Sequence, residues 1–244
     1  MLHEFRRIIC TVCGQVLDIP VYCGDRFCPV CSVSRSIRTR SRMQWLVDHQ
    51  PKLHAHAFYF WTFSLKNCQD LPKGIAQLQK SFRKLRSRQY WKTHVEGGAF
   101  VIEIKGRPGD WHPHIHVIVY STYMKWDKVF SDWRKCSGGR GCYVKQIPTA
   151  KAVSYITKYI SKPDAPDIVC AEISSALRKI RLFAPIGSWH KQNSHYKKTP
   201  TPCVRCGGSS WMNYEFLTGN PHGSQFKEVE LMRHQVPAIA PPDS

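Results

Sequence analysis

The sequence predicts an α+β chain, and three observations carry that expectation. Runs of aromatic and β-branched residues alternate with segments of helical periodicity. Two of the runs flank a Gly-Arg-Pro-Gly turn, which makes an antiparallel hairpin. Paired cysteines crowd the amino end in the spacing of a small zinc-ribbon-like module.

Composition narrows the class further. The 244 residues, 42% hydrophobic and 12% aromatic, are enough for a sizeable core and exclude general disorder. No uncharged apolar stretch reaches the roughly 18 residues of a membrane span. The first residues, MLHEFRRIICTVCG, lack the apolar core and cleavage site of a secretory leader, so a cytoplasmic protein is expected. Thirty-six Lys and Arg against 17 Asp and Glu leave a formal charge of +19. Such a balance calls for a polyanion, nucleic acid ahead of an anionic membrane.

Eleven cysteines, an odd count in a chain without a leader, argue against a disulfide framework. Cys10-x2-Cys13 and Cys28-x2-Cys31 form two knuckles that together would complete a tetrahedral Zn²⁺ shell. Cys23 offers a different ligand set. Cys203-x2-Cys206 is a half-site, to be completed by Cys136 and Cys142 or by His190 and His195, or else a reduced thiol pair. Behind the first knuckles, Arg35, Arg38, Arg40 and Arg42 lead into Trp45 and Leu46, a basic amphipathic helix suited to gripping phosphates.

Residues 56–65, HAFYFWTFSL, read as a strand ending in a Lys-Asn turn. Gly74 to His94 reads as a helix with Ile75, Leu78, Phe82 and Leu85 as its apolar stripe, and with Arg83 and Arg86 among its cations. The hairpin follows, with strands 99–105 and 112–120. Alternate strand residues share a face, so His112, His114 and His116 point the same way. A turn centred between Pro108 and Gly109 sets Glu103 opposite His114. One carboxylate and two imidazoles on one sheet face suit a divalent metal with open positions. Thr149 to Lys162 reads as a helix ended by Pro163, with Tyr155, Lys158, Tyr159 and Lys162 along one face.

In combination, Trp61-Thr-Phe-Ser-Leu-Lys-Asn67, His114-Ile-His116 and Tyr155-Ile-Thr-Lys-Tyr159-Ile-Ser-Lys162 stand in the order of the three motifs of HUH endonucleases. Over residues 10 to 165 the chain resembles the rolling-circle replication initiators of plasmids and single-stranded DNA phages. The resemblance implies a central antiparallel sheet flanked by helices, with the histidines on a central strand and the tyrosine helix beside them. It implies Mg²⁺ or Mn²⁺ on His114, His116 and Glu103, and leaves His112 without a role. Tyr155 and Tyr159 match the nucleophiles of the two-tyrosine type, and Lys158 and Lys162 the lysines that follow them; the order of attack stays open. The partners implied are single-stranded origin DNA and a host polymerase. Rival readings are a two-tyrosine transposase, a histidine-triad nucleotide hydrolase built on His112, His114 and His116, and a non-enzymatic zinc DNA-binding protein.

The expected layout is a cysteine module with its arginine helix over 1–45 and a nicking domain over 52–165. A basic extension over 166–234 and a disordered, proline-rich tail over 235–244 complete it. Ile173 to Leu182 is expected as a basic helix, and 189–198 as a polar loop suited to DNA contact. No G-x4-GK[ST] occurs, so strand separation falls to supercoiling or a host helicase.

Overall fold

From the amino end the chain forms β1 (Phe5–Cys10), β2 (Val16–Pro20), α1 (Pro29–Asp48), β3 (Ala57–Ser64), α2 (Leu71–Ser87) and α3 (Gln89–His94). There follow β4 (Val95–Arg107), β5 (Asp110–Ser121), α4 (Trp126–Ser137), β6 (Gly141–Ile147) and α5 (Ala152–Thr157). The last elements are α6 (Asp167–Ala176), β7 (Phe183–Gly187), α7 (Ser188–Gln192) and β8 (Trp211–Tyr214). The computed structural model describes residues 5–214 except 22, 26, 140, 158–166, 179 and 197–201. Lys158, Tyr159, Lys162 and the tail over 235–244 lie outside the described residues. Among the described residues, no helix is long and apolar enough to cross a membrane.

Two units emerge, Arg38–Tyr196 and Met1–Ile37 with Lys197–Ser244, the division falling inside α1. The first is built on a five-stranded antiparallel sheet of order β6-β3-β5-β4-β7. The α+β class is therefore as expected, and β5, which carries the histidines, is the central strand. Alternation along β3 decides how the sheet is covered. Trp61 and Phe63 turn to one face and pack with Leu78 and Phe82 of α2, Trp91 of α3 and Trp133 of α4. Phe58 and Phe60 turn to the other, against Met43 and Leu46 of α1, Val153 and Ile156 of α5, and Trp189 of α7.

Several expectations change. The helix expected from Gly74 to His94 is two, because Arg88 takes an extended conformation (ψ 141°) between α2 and α3. Asp70 caps α2 by accepting from the Lys73 amide. The helix expected over Ile173 to Leu182 instead spans Asp167–Ala176. Strand β7, in a region read as an extension, pairs with β4 and completes the sheet. Trp189 of the supposed DNA-contact loop is fully buried and donates to Gln50 Oε1.

The other unit is a three-stranded sheet of order β2-β1-β8, assembled from both ends of the chain. Its cysteines group differently from the expected set of Cys10, Cys13, Cys28 and Cys31. Cys10 and Cys13 lie with Cys203 and Cys206, and Cys28 and Cys31 lie with Cys23. The reason is strand pairing: β1 bonds to β8 as well as β2, which carries the late knuckle to the early one. Neither Cys136 and Cys142 nor His190 and His195 join Cys203 and Cys206.

Candidate active site

The hairpin turn fixes the site. With Arg107 paired to Asp110, only Pro108 and Gly109 form the loop, and the register brings Glu103 opposite His114. Across β3, the same strand pairs His116 with Thr62 and His114 with Ser64. Side chains of Glu103, His114, His116 and Thr62 thus share the face that α1, α5 and α7 partly cover.

His116 is buried and spans two partners. Its Nε2 donates to Glu103 Oε2 at 2.8 Å, and its Nδ1 lies 3.0 Å from the Thr62 hydroxyl. Thr62 stands beside the imidazole, placed to orient it. Lys105 Nζ stands 3.5 Å from the same carboxylate oxygen. Burial pushes the Glu103 carboxyl upward, but the His116 hydrogen bond and the neighbouring positive charge outweigh it and hold it below its ordinary value. The His114 imidazole is pushed down to about 4, first by burial and then by His112 and His116. It is neutral at pH 7, the form that ligates metals.

Among the described residues, His114 Nδ1 is buried without a hydrogen-bond partner, an orphan acceptor or donor that a ligand would satisfy. The rings of His114 and His116 are parallel within 7°, with centroids 6.0 Å apart, and His112 lies 4.2 Å beyond His114. The carboxylate and imidazoles are not as tightly gathered as the cysteines: among the described residues, the two groups whose donor atoms all lie within 4.8 Å are both cysteine groups.

Tyr155, on α5, is half-buried over the same sheet face. Its ring meets Phe60 edge-on at 5.7 Å, and Phe60 stacks on His116 at 5.6 Å. Phe60 is therefore the spacer between the tyrosine and the histidine. Lys145 of β6 donates from Nζ to the Tyr155 hydroxyl at 3.2 Å. Its ammonium is raised above its ordinary value by that hydrogen bond and by the charge of the phenol oxygen. Sequence reasoning missed Lys145 because β6 was not read as a strand. The signal was there: Tyr143 and Lys145 alternate with Cys142 and Val144 just before the tyrosine helix.

The arginines divide. Arg38 and Arg40 are exposed on α1. Arg35 instead donates to the Gly24 and Asp25 carbonyls, and Arg42 donates to Asn193 Oδ1 and lies over the Phe183 ring. Arg83 is exposed on α2, while Arg86 folds over Phe82 at 5.1 Å. Helix α2 covers the face opposite the histidines, so neither arginine borders the Glu103–His116 pair.

A model of the replication protein family matches residues 14–202. Protein rep of Streptococcus pneumoniae serotype 2 (strain D39 / NCTC 7466) is 32% identical over 113 residues, covering 42% of this chain and 34% of that protein. Protein rep of a Bacillus species is 28% identical over 125 residues, 47% of this chain and 41% of its own length. Protein rep of Staphylococcus aureus is 27% identical over 129 residues, with shares of 48% and 56%. The chain thus spans from a third to a little over half of these curated relatives. No solved structure matches it significantly. Because the family model covers well over half of the chain, including every strand of the five-stranded sheet, the chain belongs to the replication protein family.

Proposed function

We propose that the chain initiates rolling-circle replication by nicking and rejoining single-stranded origin DNA of a plasmid or phage through a 5′-phosphotyrosine. The observation that carries this reading is the Tyr155–Phe60–His116 stack, which holds a phenol and a carboxylate–histidine pair on one sheet face. Family membership supports a role in replication.

The Tyr155 oxygen attacks the scissile phosphorus, a P–O bond to tyrosine forms, and the P–O3′ bond breaks. The phenolic proton passes to solvent and the departing oxygen takes one up, leaving a free 3′-OH for a host polymerase. Lys145 favours the anionic phenol oxygen by donating to it. Glu103, His114 and His116 would hold Mg²⁺ or Mn²⁺, which supplies polarisation of the scissile phosphate when bound. The orphan His114 Nδ1 and the buried Glu103 fit such a group. Tyr159, with Lys158 and Lys162, would serve the other of the two transfers, nicking and circle release, whichever comes first. Arg38 and Arg40, both exposed on α1, would hold flanking phosphates, whereas Arg35, Arg42, Arg83 and Arg86 are less well placed. No observation favours the transposase, histidine-triad or purely DNA-binding readings.

The test is to incubate the protein with single strands of its parent replicon and Mn²⁺, then denature and map any adduct by peptide mass spectrometry. DNA on the peptide that carries Tyr155 and Tyr159 supports the mechanism; no adduct on any strand of that replicon overturns it. In the same assay Lys145→Met is expected to slow adduct formation about tenfold at pH 7 and much less near pH 10, where a phenol ionises unaided. An equal loss at both pH values would mean that Lys145 does not act on the phenol.

A further inference from the structure

Two turns at opposite ends of the chain are built alike. In Cys10-Thr-Val-Cys13-Gly14 the Gly14 amide donates to the Cys10 carbonyl at 2.9 Å, and the Cys10 amide donates to the Gln15 carbonyl at 2.9 Å. In Cys203-Val-Arg-Cys206-Gly207 the Gly207 amide donates to the Cys203 carbonyl at 2.7 Å, and the Cys203 amide donates to the Gly208 carbonyl at 2.7 Å. Gly14 and Gly207 share a left-handed backbone, φ +71° and +73°. A Cβ at either would meet nothing within 4 Å, so the glycines serve the backbone and not the space.

The sulfurs meet across the two turns. Cys10 Sγ lies 3.7 Å from Cys206 Sγ, and Cys13 Sγ lies 3.6 Å from Cys203 Sγ. All four lie within 4.8 Å of one another. A disulfide would need about 2.05 Å. Four thiolates at zinc's bonding distance of about 2.3 Å, set tetrahedrally, stand about 3.8 Å apart. The separations match a shared ion and not a covalent bond.

The packing of this unit points the same way. Among its described residues, the buried apolar side chains are Ile8, Cys10, Cys28, Cys31 and Cys203. A module whose interior is chiefly cysteine has little apolar area to stabilise it, and a bound metal substitutes for a core.

We propose that Cys10, Cys13, Cys203 and Cys206 form one structural Zn²⁺ site that joins the two ends of the chain into a single ribbon, into which the unit Arg38–Tyr196 is inserted. The site differs from an amino-terminal set of Cys10, Cys13, Cys28 and Cys31, and it is independent of the nicking chemistry. Cys23, Cys28 and Cys31 form a separate three-thiolate cluster, with Cys23 and Cys31 Sγ 3.6 Å apart. Metal there is counted separately below.

The full-length chain, purified under reducing conditions from zinc-supplemented medium, is assayed for zinc by mass spectrometry. The double variant Cys203→Ser, Cys206→Ser is expected to bind one Zn²⁺ fewer than wild type and to keep whatever metal the other cluster holds. An unchanged zinc content would overturn the assignment. Because the variant risks misfolding, a second measurement uses the wild type alone. Cys10, Cys13, Cys203 and Cys206 should resist alkylation while zinc is bound and become reactive together as a chelator is titrated in. Cys203 and Cys206 labelling freely in the zinc-loaded protein, or Cys10 and Cys13 being released together with Cys28 and Cys31 instead, would equally overturn it.

Discussion

Replacing both Tyr155 and Tyr159 with phenylalanine is expected to reduce covalent capture of single-stranded DNA below detection, a fall of at least about 10⁴-fold. The loss should be chemical. The Tyr155 ring packs edge-on against Phe60, a contact that phenylalanine keeps, and the hydroxyl lost was bonded to an exposed lysine. Melting temperature should therefore stay within a few degrees of wild type, and salt-dependent DNA binding should persist, since phosphate contacts come from elsewhere. Each single variant should still form adducts through the remaining tyrosine. Which variant loses more identifies the first nucleophile. Adducts formed undiminished by the double variant would mean that neither phenol attacks.

Phe63→Ala is expected to destabilise the unit Arg38–Tyr196 by about 3–5 kcal/mol. Phe63 is fully buried on β3 and touches Trp61, Phe82, Trp91 and Trp133, whose ring centroids lie 5.0–6.2 Å away. It is the point at which α2, α3 and α4 meet the sheet. Truncation leaves a void among large rigid rings that cannot collapse into it. For a unit of this size the melting temperature should fall by roughly 6–20 °C in a calorimetric scan. Phe63→Leu, which retains most of the volume, should cost much less. Equal losses in the two variants would show that filling this space is not what Phe63 contributes.

The hairpin was legible because its register depends on a local feature: a two-residue loop, Pro108-Gly109, leaves one way to pair Glu103 with His114. Strands β3 and β5 were legible for a related reason, since β3 is apolar on both faces over most of its length and β5 is apolar on the face opposite its histidines. Strands β6, β7 and β8 were not. They are short, partly exposed and paired with segments far away in sequence, so even the brief alternation in β6 is easily passed over. The cysteine grouping was hidden likewise, because Cys-x2-Cys spacing fixes a turn and says nothing of which turn faces it. Arginines were counted as grip by their density alone. Whether Arg42 reaches solvent or folds over Phe183 depends on β7, which the sequence does not announce. Trp189 misled for the opposite reason: its polar neighbours conceal a side chain buried in the second core.

Joining β1 to β8 also sets an order of assembly on the ribosome. At about 5–20 residues per second, roughly 10–40 s separate synthesis of the first strand from that of its partner. The middle of the chain is then complete before the ribbon is. Inside that middle unit, Arg42 bonds to Asn193 and Trp45 meets Tyr196 at 5.9 Å, so folding it brings its own two ends together. A chain closure that would otherwise lose the entropy of a long loop is thereby reduced to a short one. The half-made ribbon waits on the nascent chain as an open strand edge, and the inserted unit acts as the clasp that delivers its missing strand.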